Sequence, residues 1–369
     1  MKKFIAISSL LVCHLTSAQA QDNLVVYGVI DIGLQYTTIN QTRDRTVQSN
    51  QFLGIASGVQ SGSRFGLRGT HEMGEGFQTV FTLENGFDAS NGVAQQGNRL
   101  FGRQSTIGIK NNHVGQLDIG HQINLASNYF LPIDPFIEGF GQANIGASFG
   151  SANTVRYSNM LLLQAKATEA LTIGVGYSFA AEMTSIYAGN GSCAESSCVA
   201  INQASQFQTN NNLRALTLGA QYSSGPLFLA IAYDQLRGPD NIPDGPPKPN
   251  PTTWLAGGAY DFTVVKIAFA FGQTRNGAWN GQPAGAGSTP NSPLLDSTLG
   301  SGAIFVPGAA ASSLMLGLTV PVRGASILAS VQRLQPEHLV GELLGARRLS
   351  IDEVAVHQAQ RALRCVQRR

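Results

Sequence analysis

The fold is decided by residues 61–88, SGSRFGLRGTHEMGEGFQTVFTLENGFD. Residues 64–70 alternate, with Arg64, Gly66, Arg68 and Thr70 on one side and Phe65, Leu67 and Gly69 on the other. Successive side chains of a strand point to opposite faces, so both arginines share a face. Gly74-Glu75-Gly76 supplies a tight turn, because glycine reaches positive φ at little steric cost. The return strand places Phe77, Thr79, Phe81 and Leu83 on the apolar side and Gln78, Val80, Thr82 and Glu84 on the polar one. A hairpin that is apolar outside and charged inside fits a water-filled barrel in lipid. A soluble sandwich would turn its apolar face inward.

Composition agrees. Only 12% of the 369 residues are charged and 42 are glycine, whereas soluble chains run at about 25% charged. Mean hydropathy is 0.00, which fits neither a helical membrane protein nor a disordered chain. One soluble domain of this length would be unusual. A barrel grows by adding strands without thickening its core.

Residues 1–20 are predicted to be a secretory signal. Lys2 and Lys3 are the basic start, Phe4 to Val12 the apolar run, and Ala18-Gln19-Ala20 the cleavage site. The run is about half of the ~20 residues needed to span a membrane. A lipid anchor on Cys13 is disfavoured by the bulk of Val12. Losing the two lysines brings the formal +2 to neutrality, so no bulk field draws the protein to nucleic acid. Cys193 and Cys198 frame a polar loop, and in an oxidising compartment they are expected to form a local disulfide. The alternative, a metal site, lacks nearby histidine.

Strands are expected at 24–37, 64–70, 77–84, 101–110 and 114–122, with a long polar loop at 38–60. Val26, Ile30, Ile32, Leu34 and Tyr36 take one face of the first strand, and Tyr27, Asp31 and Gln35 the wet face, which makes Asp31 a lumen-wall candidate. Faces in 101–110 are ambiguous, with Arg103 expected inward. Residues 123–150 show no strand signature but hold aromatics, prolines, Asp134 and Glu138. So apolar a loop is expected to fold inward and narrow a pore. Further strands are expected at 152–159, 160–168, 171–180, 213–223, 226–237, 253–262, 263–275, 310–320 and 325–334. Long loops lie at 181–212, 238–252 and 276–303. Short turns on one rim and long loops on the other are the barrel pattern.

The pieces LVVYGVIDIGL, SGSRFGLRG, GFQTVFTLENGF, FGRQSTIGI and TVRYSN, in that order, resemble the general diffusion porins of Gram-negative outer membranes, beta-proteobacterial trimeric type. The resemblance implies an all-β transmembrane antiparallel barrel, sixteen-stranded in the family with the last strands missing or altered here, and a homotrimer in outer-membrane lipid and lipopolysaccharide. It implies passive diffusion of small hydrophilic solutes and ions, and no cofactor. The third extracellular loop would form a constriction, with Arg64, Arg68 and Arg103 facing Asp134 and Glu138, and with Arg156 on the lumen wall. His121 stands where many members carry arginine. The domain expectation is a signal at 1–20, a barrel at 21–341 and an aberrant tail at 342–369. Members end on a strand with a terminal phenylalanine, whereas this chain ends in Arg369, an ending that a frameshift would produce. A product that does not assemble is one alternative, and a non-channel adhesin or structural barrel is another. Gly146-Ala147-Ser148-Phe149-Gly150 matches a hydrolase nucleophile pattern, but the only downstream histidines are His338 and His357.

Overall fold

The computed structural model describes residues 23–43, 46–139, 144–182, 184–188, 198–200, 212–239, 250–279, 302–338 and 360–362. Its strands are β1 (Asn23–Val29), β2 (Ile32–Arg43), β3 (Thr46–Ser57), β4 (Arg64–Gly74), β5 (Phe77–Gly86), β6 (Gln104–Asn111), β7 (Gly115–Ile123), β8 (Arg156–Lys166) and β9 (Leu171–Ser178). They continue as β10 (Thr184–Ala188), β11 (Cys198–Ala200), β12 (Arg214–Ser224), β13 (Leu227–Arg237), β14 (Thr252–Asp261), β15 (Lys266–Trp279), β16 (Gly302–Val322), β17 (Ala325–His338) and β18 (Gln360–Ala362).

Among the described residues sixteen strands join one sheet, though not as sixteen in succession. The continuous antiparallel path has thirteen: β1, then β4 to β9, then β12 to β17. The other three, β10, β11 and β18, are pieces of three to five residues, and β10 lies parallel to β16. Among the described residues β1 pairs only with β4, and β17 with β16 and β18. No helix among them is long and apolar enough to cross a membrane.

Alternation sets the two faces. Outward lie Val26 on β1, Ile30 between the strands and Leu34 on β2, the last 82% exposed, and Phe65 on β4 is 48% exposed. Ile107, Ile109, Ile231 and Phe269 continue this apolar outer surface on β6, β13 and β15. Such a face is stable only against hydrocarbon or another apolar surface. The ambiguity in 101–110 resolves with Ile107 and Ile109 outward.

Short turns hold one rim. Between β4 and β5, Gly74, Glu75 and Gly76 all have positive φ. Before β7, the Asn111 side chain accepts the amide of His113. Two expectations needed correction. Residues 38–60 are not a loop: β2 and β3 form a ribbon paired from Ile32–Ser57 to Arg43–Thr46. Residues 152–159 and 160–168 are not two strands: β8 runs through, with Asn159 at φ 49° making a local irregularity.

Candidate functional site

One inner wall is built from β1, β4, β5 and the segment before β6. Tyr27, Gly66 and Glu84 lie in one cross-strand row. A Cβ at Gly66 would come within 2.7 Å of Tyr27 Cζ, so the missing side chain lets the phenol lie across β4. Tyr27 donates its hydroxyl to Glu84 Oε2 at 2.8 Å. Glu84 also accepts from Arg103 Nε at 2.6 Å and pairs with Arg64 Nε at 3.7 Å. Arg68 stacks over the Tyr27 ring, 5.4 Å from its centroid, a cation–π arrangement. Arg64 further donates to Ser61 Oγ and the Gly62 carbonyl, both at 2.9 Å. Three arginines of one sign are thus held close together by a single carboxylate and a single phenol. Sequence reasoning put Tyr27 and Glu84 on the wet face but did not name them as organisers. The signal was the glycine between them.

Residues 124–139 and 144–155 lie against the sheet. The loop begins with a short helix, Leu125–Phe130, capped by Asn124, whose Oδ1 accepts the Ser127 amide. Asn124 Nδ2 donates to the Ser151 carbonyl and to Asp234 Oδ2 on β13. The Leu125 amide donates to Thr217 Oγ1 on β12. Farther along, Lys266 Nζ donates to the Pro132 carbonyl at 2.6 Å, Ser313 Oγ to the Ser148 carbonyl at 2.7 Å, and Gln332 Nε2 to the Asn144 carbonyl at 2.9 Å. The loop therefore touches β12, β13, β15, β16 and β17. Leu125, Tyr129, Phe130, Ile145 and Phe149 are buried against wall residues such as Ala215, Ala232, Leu255 and Ala270. The described apolar residues of 123–150 form a core packed against these strands.

Not every expected lining residue faces the opening. Asp134 is 2% exposed. Its carboxylate accepts the amides of Phe136, Glu138 and Ile145, which braces the loop tip. Burial raises its pKa, and these three hydrogen bonds oppose the rise. Asp31 does the same work elsewhere, accepting the amides of Val59, Gln60 and Ser61. Arg156 is only 8% exposed, turned beneath the loop, with Nε donating to the Arg103 carbonyl and Nη1 to the Thr154 carbonyl. His121 bridges Ser158 Oγ and the Gly102 carbonyl. Parity could name the face of these residues; it could not see which amides lay within reach.

Glu138 stands at the loop tip, where it and Ile137 both have positive φ. Its Oε1 is buried without a hydrogen-bond partner among the described residues. Burial pushes its carboxyl up to about 8, against the pull of the Arg156 guanidinium. Gly139 abuts the Gln60 carbonyl, so the tip reaches the segment that Asp31 holds. Ser148 lies between two 3-10 turns, Ile145–Ala147 and Gly150–Ala152, not on a strand-to-helix elbow. Cys193 and the side chain of Cys198 lie outside the described residues, as do the signal and nearly all of the tail.

The family model for Gram-negative porins matches residues 8–342. An outer membrane porin protein of Bordetella pertussis is 40% identical over 351 residues, 93% of this chain and 87% of that protein. An anion-selective porin from Comamonas acidovorans superposes with a TM-score of 0.58 at 19% identity, covering 86% of this chain and 80% of the other. Salmonella typhi OmpF, solved in complex with daunomycin, gives 0.52 at 14% identity over the same shares.

Proposed function

The chain belongs to the Gram-negative porin family, water-filled channels of the outer membrane, and from that premise we propose that its permeation path runs between the arginine wall and the tip of loop 123–155. In this reading Arg64, Arg68 and Arg103 form one side of the constriction and Glu138 the other. Asp134, Asp31 and Arg156 hold the backbone that presents them. The observation that carries it is the gathering of Arg64 and Arg68 of β4 with Arg103 around Glu84 and the Tyr27 ring on the inner face. Opposed charges in a narrow passage orient dipolar solutes and filter ions.

Arginine outnumbers carboxylate there. Arg64, Arg68 and Arg103 stand near Glu84 and Glu138, and burial pushes the Glu138 carboxyl up to about 8. The passage is therefore expected to favour small anions, solute crossing involves no bond-making step, and the functional unit is a homotrimer surrounded by outer-membrane lipid and lipopolysaccharide. The test is a planar-bilayer recording of purified, heat-modifiable protein in a salt gradient. Stepwise conductance with a reversal potential on the anion side is expected. Folded protein that gives no steps would overturn the channel path, and a cation-side potential would overturn the role given to the arginines.

A further inference from the structure

Gly174 on β9 and Gly219 on β12 are directly paired across the sheet. Both point inward, beneath the root helix of the loop. The ring of Tyr129 lies over the pair. A Cβ at Gly219 would fall 2.9 Å from Tyr129 Cδ2 and 3.0 Å from Cε2. One at Gly174 would fall 2.7 Å from Tyr129 Oη and 2.8 Å from Leu125 Cδ1. Tyr129 and Leu125 are both fully buried, so neither can swing aside into open space. The Tyr129 hydroxyl has no hydrogen-bond partner among the described residues. Shape alone seats this tyrosine.

We propose that the Gly174–Gly219 pair is a notch that receives Tyr129 and thereby sets how far the constriction loop stands off the wall, making these three positioning residues for permeation. The proposal rests on the permeation path given above. Its physical basis is the close packing of interiors, where one added methyl is felt. Sheet strands approach closely where glycine replaces a side chain, and an aromatic ring can cover the gap. A helix seated in such a gap has one stable height. Filling the gap drives it toward the arginine wall.

The test compares single-channel conductance in folded protein. Gly219→Ala and Gly174→Ala are each expected to lower the step size by roughly a third, the order expected when one methyl shifts a side of the passage by about an ångström. Gly219→Ala combined with Tyr129→Leu, which removes the ring, is expected to recover the original steps. Gly258→Ala is the control. Its Cβ would fall 2.6 Å from Cδ2 of the exposed Leu229 and 2.8 Å from the Phe228 carbonyl, on the outer face. It should shift the unfolding temperature on a gel and leave conductance unchanged. Unchanged steps in the notch variants, an equal change in the control, or no recovery in the double variant would each overturn the notch. If Gly219→Ala gives no folded barrel, Tyr129→Leu alone reads the same contact: open-channel noise should rise, and quiet steps of the original size would overturn the proposal. No steps from the unsubstituted protein would instead sink the permeation path.

Discussion

The inner face of this barrel has two walls that obey opposite packing rules. On β1, β4 and β5 it carries Tyr27, Arg64, Arg68 and Glu84, partly open and held by charge-assisted hydrogen bonds. On β12 to β16 it carries Ala215, Ala232, Ala270 and Gly317, closed by the loop. Both walls place a tyrosine over glycine, Tyr27 across Gly66 and Tyr129 across Gly174 and Gly219. In the first case the phenol ends on a carboxylate; in the second it finds no hydrogen-bond partner among the described residues. The same device serves water on one side and a dry core on the other. What separates them is whether a loop arrives to exclude solvent.

That contrast can be broken by placing a charge on the dry wall. Ala270 is fully buried under the loop, so Ala270→Glu would desolvate a carboxylate without a partner. The cost is several kcal/mol in real proteins, and loss of heat-modifiable, folded protein is the expected result. A folded barrel of ordinary stability would show that this wall is wet. Next in size is the loop brace. Asp134→Ala leaves the amides of Phe136, Glu138 and Ile145 without their acceptor. Orphaned buried donors cost roughly 1–3 kcal/mol each where they cannot relax to water. Faster hydrogen exchange and protease cutting within 132–150 should follow, with the strands still protected.

The wet wall should behave differently. Arg64→Gln with Arg103→Gln removes two partly buried cations and leaves Glu84 with the Tyr27 hydroxyl, so some stability is lost, but less than on the dry wall, because this wall is partly open. The anion preference, measured as a reversal potential, should fall or vanish, most visibly at low ionic strength where screening is weak. Survival of the full preference would relocate selectivity away from these residues. The smallest expected effect is a titration. Burial holds the Glu138 carboxyl protonated up to about 8. Because its folded pKa lies above the ordinary value, its contribution to loop stability is fully present below the unfolded pKa and is lost as pH rises through about 8. Anion preference should therefore weaken across that pH range. Glu138→Gln should flatten the change, and a persistent change in that variant would assign the titration to another group.

Much of this was legible in residues 61–88. Strand parity alone put Phe65 outside and Arg64 and Arg68 inside, because a period of two admits no compromise in a two-sided wall. The inward loop was legible from its composition: Phe130, Ile133 and Phe136 do not suit a solvent loop, and all three are buried. The ribbon β2–β3 was not legible. Its tip, 38–51, is polar, and polarity without alternation reads as loop whether or not the backbone pairs. β8 was read as two strands because Asn159 shifts the alternation partway along it. Asp31 was assigned to the lumen wall by strand parity and Asp134 to the constriction by its place in the inward loop, yet each spends its oxygens on three backbone amides.

Along most strands, though not along 101–110, the sequence by itself determined which residues meet hydrocarbon and which stay inside, since alternation is a local property that every neighbouring pair of residues must respect. Only the tertiary structure decided which inward residues remain open. That depends on Asn124 finding Asp234 110 positions away, Lys266 finding the Pro132 carbonyl, and Tyr129 finding two glycines on different strands. Contacts of that range are set by packing volume and available hydrogen-bond partners, neither of which a single strand encodes.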